Sequence, residues 1–526
     1  MRLLAVLLLL LPGAAVAQSV AQSAAPYDVL LRGGRVLDGS GNPWVEADVA
    51  LRDGRVVAMG RLDSMRAATV LDVHGLYVAP GFIDVHSHAS GGLAAPDRSG
   101  AEPLLLQGVT TVVINPDGGG PFDLVAQREA LLADGLGLHV AQLVPHGTVR
   151  RAILGEADRQ ATPDELAQMQ ALVEAGMEAG AFGLSSGPFY APGSYADTHE
   201  LIELARVAAR HGGVYTSHIR DESNYTIGLL AAVEEVIEVA RAAQLPSVVT
   251  HIKALGPPVW GFSTAVVQRI ERARAEGVSV YADQYPYPAS ATGLDAALLP
   301  RWAQAGGRDS LVARLQDPAL RDSLRRAMTA NLARRGGAER IQFRFFAPDT
   351  TVQGRTLAAV SAEQGQPPVD HALQMIAAGY AGIVSFNMHR DDVHTFMRQP
   401  WTMTASDGSF PPWGVGVPHP RAFGTFPRKI RRYVLEEGVV SLPDAVRSMT
   451  SLPAQVFSLH DRGVLRPGAH ADVVVFDLDR LRDRATFQAP YQTAEGVIHV
   501  FVGGTAAVQD GQPTGVRAGH VLRRHP

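Results

Sequence analysis

The sequence predicts an α/β protein: a TIM (β/α)8 barrel, a small β-sandwich formed by the N- and C-terminal segments, and an insertion between strands 7 and 8. Three observations carry that prediction. The middle of the chain alternates apolar strand-like runs with amphipathic helix-like runs, as βα units on a parallel sheet require. Both ends are rich in short strands broken by turn signals such as Gly33-Gly34, Asp53-Gly54 and Asp510-Gly511, which is hairpin chemistry. The residues directly after the central apolar runs are mostly His and Asp, and strand ends are where such a barrel keeps its chemistry.

From the N-terminus, Arg2 precedes an apolar run from Leu3 to Leu11, a Pro12-Gly13 break and the small-residue site Ala15-Val16-Ala17. That is the layout of a secretory signal. Residues 1–17 are therefore expected to be removed and the protein exported, periplasmic or secreted. A membrane anchor would need about 20 apolar residues, about twice this run, and no later segment of the mature chain spans a bilayer. Cys is absent, which excludes disulfides, Cys-ligated metal and a thiol nucleophile. Hydrophobic residues at 46% and charged residues at 19% match folded chains and not disordered ones. A net charge of −5 lacks the basic footprint of a nucleic-acid binder; the expected partner, taken up with the site below, is a small-molecule substrate. Nothing here specifies an oligomeric state.

Residues 27–78 read as short strands, and residues 464–526 repeat the style. Neither end alone has apolar surface for a two-faced core, so the two are expected to pair. Between them, over 79–463, eight strands are expected at 82–85, 110–114, 139–144, 181–185, 214–217, 247–250, 278–282 and 402–405. Thr162-Pro163 opens a helix running to Ala179, with Thr as N-cap and Pro in the first turn; another runs from Ile227 to Ala243. The gap between the last two strands far exceeds ordinary βα connections of about 2–6 residues, so an inserted subdomain is expected near 296–350.

The strand ends carry the chemistry. Strand one ends Asp84-Val85-His86-Ser87-His88; with period two, His86 and His88 lie on one side, and paired imidazoles suit a divalent metal. Strand two ends Asn115-Pro116-Asp117, strand three His146, strand five His218, strand six His251 with Lys253 two residues on, and strand eight Asp407. Each alone is a weak signal; their convergence defines a metal site.

The motifs Pro80-Gly81-Phe82-Ile83-Asp84-Val85-His86-Ser87-His88, Ala471-Asp472 and Val502-Gly503-Gly504 resemble the amidohydrolase superfamily. Within it, the chain resembles the N-acyl-D-amino-acid deacylases in Gly180-Ala181-Phe182-Gly183-Leu184-Ser185-Ser186-Gly187, Ser217-His218-Ile219-Arg220-Asp221-Glu222, Thr250-His251-Ile252-Lys253, Asp283-Gln284-Tyr285-Pro286-Tyr287, Ala405-Ser406-Asp407-Gly408 and His419-Pro420-Arg421-Ala422-Phe423-Gly424. The likeness runs from about Tyr27 to the end. It implies a metal-dependent barrel with a flanking sandwich, one or two Zn²⁺ or another divalent metal, and hydrolysis of N-acylated D-amino acids. A dipeptidase or cyclic-amide hydrolase on the same scaffold is the alternative, since loops choose substrates on a shared metal frame. A non-catalytic envelope binder is a third reading, which an intact ligand set with Asp407 disfavours.

In one place the chain departs from that family. The resemblance implies a zinc-binding Cys in a Gly-Asn-Cys-Gly turn after strand two, where this sequence has Asn115-Pro116-Asp117-Gly118. Asp117 is the expected substitute, bridging two metals, with His218 and His251 completing one and His86, His88 and Asp407 the other; Asn115 as ligand, or Asp117 as a mere turn cap, stays open. Asp407 is the expected general base, passing the proton of water to the leaving nitrogen. Lys253, Tyr190 and Tyr285, with Arg220 and Arg421 behind them, are candidates for the substrate carboxylate. Lys253 has a rival role as metal neighbour or charge balance, and the Tyr285 and Tyr287 rings a rival role in loop packing. His146 is a candidate for support behind the ligands, and His389 reads better as a helix start.

Overall fold

The computed structural model describes residues 27–524, so the expected signal at 1–17 lies outside them. Strands β1 (Tyr27–Val36), β2 (Val45–Arg52), β3 (Arg55–Gly60), β4 (Ala67–Asp72) and β5 (Tyr77–Pro80) open the chain. The central strands are β6 (Phe82–Asp84), β7 (Ser87–His88), β8 (Val109–Ile114), β9 (His139–Gln142), β10 (Val144–Pro145), β11 (Gly183–Ser186), β12 (Val214–Ser217), β13 (Ser247–Val249) and β14 (Val280–Gln284). Then come β15 (Ser290–Gly293), β16 (Ile341–Phe346), β17 (Ala381–Ser385), β18 (Thr402–Thr404) and β19 (Gly408–Ser409). The chain closes with β20 (Val473–Phe476), β21 (Val497–Val502), β22 (Thr505–Gln509) and β23 (Gln512–Pro513).

The two ends form one nine-stranded sheet in the order β23-β22-β21-β20-β5-β1-β2-β3, with β4 on β1. The junction is the antiparallel pairing of β5 with β20, Val78 opposite Val475. The sheet curls back on itself: Arg55 bridges His470 and Val56 N donates to Ala469 O at 2.9 Å. Its inner face buries Leu31, Val49, Val56, Val78, Val473 and Phe501 together.

The central strands are parallel and follow chain order, β6-β8-β9 in one sheet and β10-β11-β12-β13-β14-β18 in the next. Leu143 joins β9 to β10, so the two sheets share the strand expected at 139–144. Strand β19 pairs in parallel with β7, Gly408 opposite Ser87, and Asp407 N donates to His86 O at 2.8 Å, linking the last strand to the first. Strands such as Val109–Ile114 are buried at every residue, as parallel strands covered on both faces must be. Ile83, Val113, Ala141, Val214, Val248 and Met403, from first strand to last, pack into one interior cluster. The helices cover the outside. One is Pro163–Glu178, whose Thr162 and Glu165 form a reciprocal capping box; another is Leu229–Ala243.

Between β14 and β18 the chain builds an antiparallel sheet of its own, β15-β17-β16, over a core including Leu294, Phe343, Leu357 and Ile383. This body is wider than the expected 296–350: the returning strand β17 at Ala381–Ser385 belongs to it. A helix-like basic stretch marked its position, but the pairing partner of β15 lies about ninety residues downstream, a long-range contact that local pattern does not carry. Among the described residues no helix is long and apolar enough to cross a membrane.

Behind β18 the fold buries a lysine. Lys429 Nζ donates to Thr404 Oγ1 at 2.7 Å and Ser448 Oγ at 2.9 Å, and burial pushes its pKa down to about 7, with Asp444 opposing. The unfolded chain therefore binds the extra proton above that value, and stability contributed here rises with pH from about 7 toward 10, by at most about 1.4 kcal/mol per unit. The expected result is an unfolding free-energy difference between wild type and Lys429→Met that grows from pH 7 to pH 9 in urea titrations. A flat difference would mean that the amine stays charged.

Candidate active site

The loops after the central strands enclose a cavity of about 530 Å³, whose walls include His88, Asp117, His218, His251, Asp407 and Tyr190. Its floor is a set of imidazoles and carboxylates. Ligand-type atoms of His86, His88, Asp117 and Asp407 lie within 4.8 Å of one another, and so do those of Asp117, His218 and His251. Asp117 belongs to both groups. Its Oδ2 is 3.4 Å from Nε2 of His86, 3.4 Å from Nε2 of His88 and 3.7 Å from Nδ1 of His218, and its Oδ1 is 3.5 Å from Nε2 of His251. Asp407 Oδ1 stands 3.2 Å from His88 Nε2 and 3.7 Å from His86 Nε2.

Backbone geometry aims these groups. Asp117, His251 and Asp407 have φ of 56°, 36° and 48°, a left-handed region that side-chain-bearing residues seldom occupy and that costs of order 1–3 kcal/mol each. The turn carrying Asp117 is wedged between two others: a Cβ on Gly118 would stand 2.9 Å from Gly147 N and 3.1 Å from Gly187 N. Asn115, the other candidate after strand two, is committed elsewhere; its amide exchanges hydrogen bonds with Gln127 at 2.8 Å and donates to Leu143 O at 3.1 Å.

The electrostatics are those of a cation site. Burial alone would raise the Asp117 carboxyl, but His86, His251 and His218 hold it well below the usual range. Asp407 is likewise held low against its burial, first by Arg421 and then by the hydrogen bond from His88. Burial disfavours charge on His86, yet Asp117 and Asp283 drive it well above its ordinary value. Both ring nitrogens of His86, both of His218 and Oδ1 of Asp117 are buried without a hydrogen-bond partner. Buried polar atoms left in this state are costly, and a divalent ion accepting N and O donors satisfies this set. The residues fit such an ion.

Two carboxylates that the sequence reading did not single out orient the imidazoles. Asp283 Oδ1 accepts from His251 N at 2.7 Å and Oδ2 is 3.9 Å from His86 Nδ1. It comes directly after the apolar run at 278–282, just as the other candidates come after theirs, so the same signal marked it. Glu222, four residues after His218, accepts from Lys253 and lies 3.1 Å from His251 Nδ1, with Lys253 Nζ at 2.7 Å from that same nitrogen. Carboxylates behind ligating imidazoles fix ring orientation and tautomer.

The remaining candidates divide. Lys253, Tyr190, Tyr285 and Arg421 reach the cavity wall. Lys253 is committed to Glu222 and His251, which favours its charge-balancing role over a substrate contact. Tyr190 packs edge-on against His218 at 4.6 Å and shares a hydrogen bond with Thr292 at 3.1 Å. Arg421 Nη1 is 2.9 Å from Asp407 Oδ2, and its guanidinium lies 4.6 Å above the Tyr285 ring. Tyr287 packs edge-on against His419 and Phe487.

Arg220 and His146 are corrections. Arg220 turns outward to grip Glu235 on the helix Leu229–Ala243, with Nη2 to Oε1 at 2.7 Å and Nε to Oε2 at 3.0 Å. His146 starts the helix His146–Leu154 and bonds Glu200 at 2.8 Å, beside Arg150. Neither is on the cavity wall. His389 caps the helix Arg390–Met397 through a bond from Asp391 N. Arg220→Met is accordingly expected to leave kcat/KM nearly unchanged while lowering unfolding stability by about 3 kcal/mol, the order of loss when one partner of a buried pair is removed. A large kinetic loss at unchanged stability would return Arg220 to the site.

A ring of strand-end histidines around shared carboxylates on parallel strands defines a metal-dependent hydrolase of the amidohydrolase class, and residues 69–508 match the model of the amidohydrolase family. A D-aminoacylase from Alcaligenes xylosoxydans xylosoxydans is 36% identical over 95% of this chain and 98% of its own. An N-acyl-D-glutamate deacylase from the same organism is 37% identical over 94% and 96%. The crystal structure of N-acyl-D-glutamate deacylase from Bordetella bronchiseptica, complexed with zinc and a phosphonate mimic of the reaction tetrahedral intermediate, superposes with a TM-score of 0.79 at 35% identity, covering 95% of this chain and 100% of that one. The chain belongs to the amidohydrolase family and, within it, to the N-acyl-D-amino-acid deacylases.

Proposed function

We propose that the protein hydrolyses the amide bond of N-acyl-D-amino acids in a metal-dependent reaction, giving a carboxylate and the free D-amino acid. The observation that carries this reading is the shared Asp117, which belongs both to the His86, His88 and Asp407 group and to the His218 and His251 group. One or two Zn²⁺ held there, when bound, polarise the scissile carbonyl and lower the pKa of water. The framework assumed is a closed (β/α)8 barrel flanked by a sandwich of the two chain ends, supported by strands in chain order, the β19–β7 pairing and the single interior cluster.

The chain's own groups do the rest. Asp407 takes the proton from the attacking water and returns it to the departing nitrogen, so one carboxylate serves as base and then as acid. Arg421, 2.9 Å away, keeps that carboxylate ionised at rest. Glu222, Lys253 and Asp283 hold the imidazoles in place. Tyr190, against His218, walls off the reacting centre from water. Export is part of the same proposal, supported by the signal layout at 1–17.

The test measures free amino acid released from matched N-acetyl-D and N-acetyl-L amino acids by chiral chromatography, with and without added Zn²⁺. Release from the D series alone, abolished by chelator, is expected. No release from either series by metal-loaded protein would overturn the reading in favour of dipeptides or cyclic amides.

A further inference from the structure

The cations nearest the histidines already have anionic partners: Lys253 has Glu222 and Arg421 has Asp407. Two other guanidinium groups on the same cavity wall, Arg335 and Arg344, do not. Among the described residues neither has a carboxylate within 4.0 Å. Arg335 is 1% exposed, with Nη1 on Ser385 Oγ at 3.1 Å and Nε buried without a partner. Arg344 donates from Nη2 to Tyr380 Oη at 3.1 Å, and its Nε too is buried and unpartnered. A buried guanidinium without an anion is costly, and its planar fork suits a carboxylate.

The backbone is arranged to present Arg344. It sits at the register break of β16 against β17, between Phe343 and Phe345, and such bulges re-aim a side chain. Gly382 lies beneath it: a Cβ there would stand 2.9 Å from Arg344 Nε. Gly382 pairs across the sheet with Gly293, whose added Cβ would in turn meet Asp295 Oδ1 first and stand 3.1 Å from the Tyr380 ring. Two facing glycines thus make a flat bed for the guanidinium and its tyrosine. Both arginines come from the inserted segment between β14 and β18, apart from the strand ends that carry the histidines.

The geometry points to a substrate with two carboxylates: an N-acyl-D-amino acid whose own side chain is acidic, glutamate or aspartate, with Arg344 receiving the side-chain carboxylate and Arg335 completing the cationic pole. This rests on the deacylase reading and narrows it. Overall identity does not decide the matter, since the D-aminoacylase and the N-acyl-D-glutamate deacylase are 36% and 37% identical to this chain; the unpaired arginines do.

The test compares N-acetyl-D-glutamate with its neutral isostere N-acetyl-D-glutamine, on wild type, Arg344→Met and Arg344→Lys, in kinetics and in calorimetric binding. Wild type is expected to favour glutamate by about 10- to 100-fold in kcat/KM, the value of one charge-assisted contact. Arg344→Met should lose that preference through a raised KM for glutamate, and Arg344→Lys should regain part of it. Efficient cleavage of glutamine, methionine or leucine derivatives without a preference for glutamate overturns the proposal and leaves the deacylase reading intact. Equal loss on both substrates in Arg344→Met also overturns it, because the contact would then be to the α-carboxylate common to all. Should no N-acyl-D-amino acid be cleaved, the deacylase reading fails, and calorimetry decides the rest: Arg344-dependent preference for glutamate sustains an acidic-ligand pole, and equal binding removes it.

Discussion

Asp117→Asn is expected to empty both cation groups at once, lowering metal content in elemental analysis of dialysed protein and reducing turnover by at least about a hundredfold. The reason is position: four histidines stand within 3.7 Å of its carboxylate, so no other single charge is shared so widely. Asparagine is the informative substitution because it tolerates the left-handed backbone found at this residue, φ 56°, and so isolates the charge from the turn. Loss of an outer-shell partner alone costs about 10- to 100-fold in metal affinity, and loss of a direct, shared one should exceed that. Asp117→Cys provides a second reading. A thiolate is softer than a carboxylate, so this variant should hold metal but shift its preference toward softer ions in competition experiments. Unchanged metal content in Asp117→Asn would reduce Asp117 to a turn residue.

Asp407→Asn is expected to lower kcat by about two decades or more, the order that removal of a positioned base commands, with KM changed little. Asn keeps the shape and again accepts the left-handed backbone, φ 48°, but cannot take the proton. It also leaves Arg421, 5% exposed, without its anion, so a fall in melting temperature should accompany the kinetic effect. Metal bound by Asp117, His218 and His251 should persist, which separates loss of the base from loss of the site. Near-normal turnover would remove Asp407 from the role.

Much of the site was legible because parallel strands in chain order turn a three-dimensional arrangement into a local one. Each βα unit delivers the residues after its strand to the same end of the fold, so the short segments just past 82–85, 110–114, 214–217, 247–250 and 402–405 hold His86, His88, Asp117, His218, His251 and Asp407. Asp283 obeys that rule and was passed over. Glu222 does not obey it: it lies five residues beyond its strand on an irregular loop, and only the fold of that loop returns it to His251 and Lys253. Arg220 shows the converse failure. It stands two residues from a cavity histidine, yet its side chain leaves the cavity for Glu235, because the helix Leu229–Ala243 offers a bidentate partner there. His146, likewise at a strand end, is drawn away by Glu200 on the neighbouring helix.

By itself the sequence determined the alternation of strand and helix, the strand ends that carry the histidines and aspartates, and the place of Asp117 in the turn after the second strand, since each depends on residues close together in the chain. The tertiary structure decided which distant partner each charged group found. Only it joins β5 to β20 across the length of the chain, brings β17 back to β15, commits Lys253 to Glu222 and Arg421 to Asp407, and leaves Arg335 and Arg344 without a carboxylate partner among the described residues. The physical reason is that hydrophobic periodicity is a local property of the chain, whereas the pairing of charges depends on ångström-scale distances between segments that only the packed core brings together.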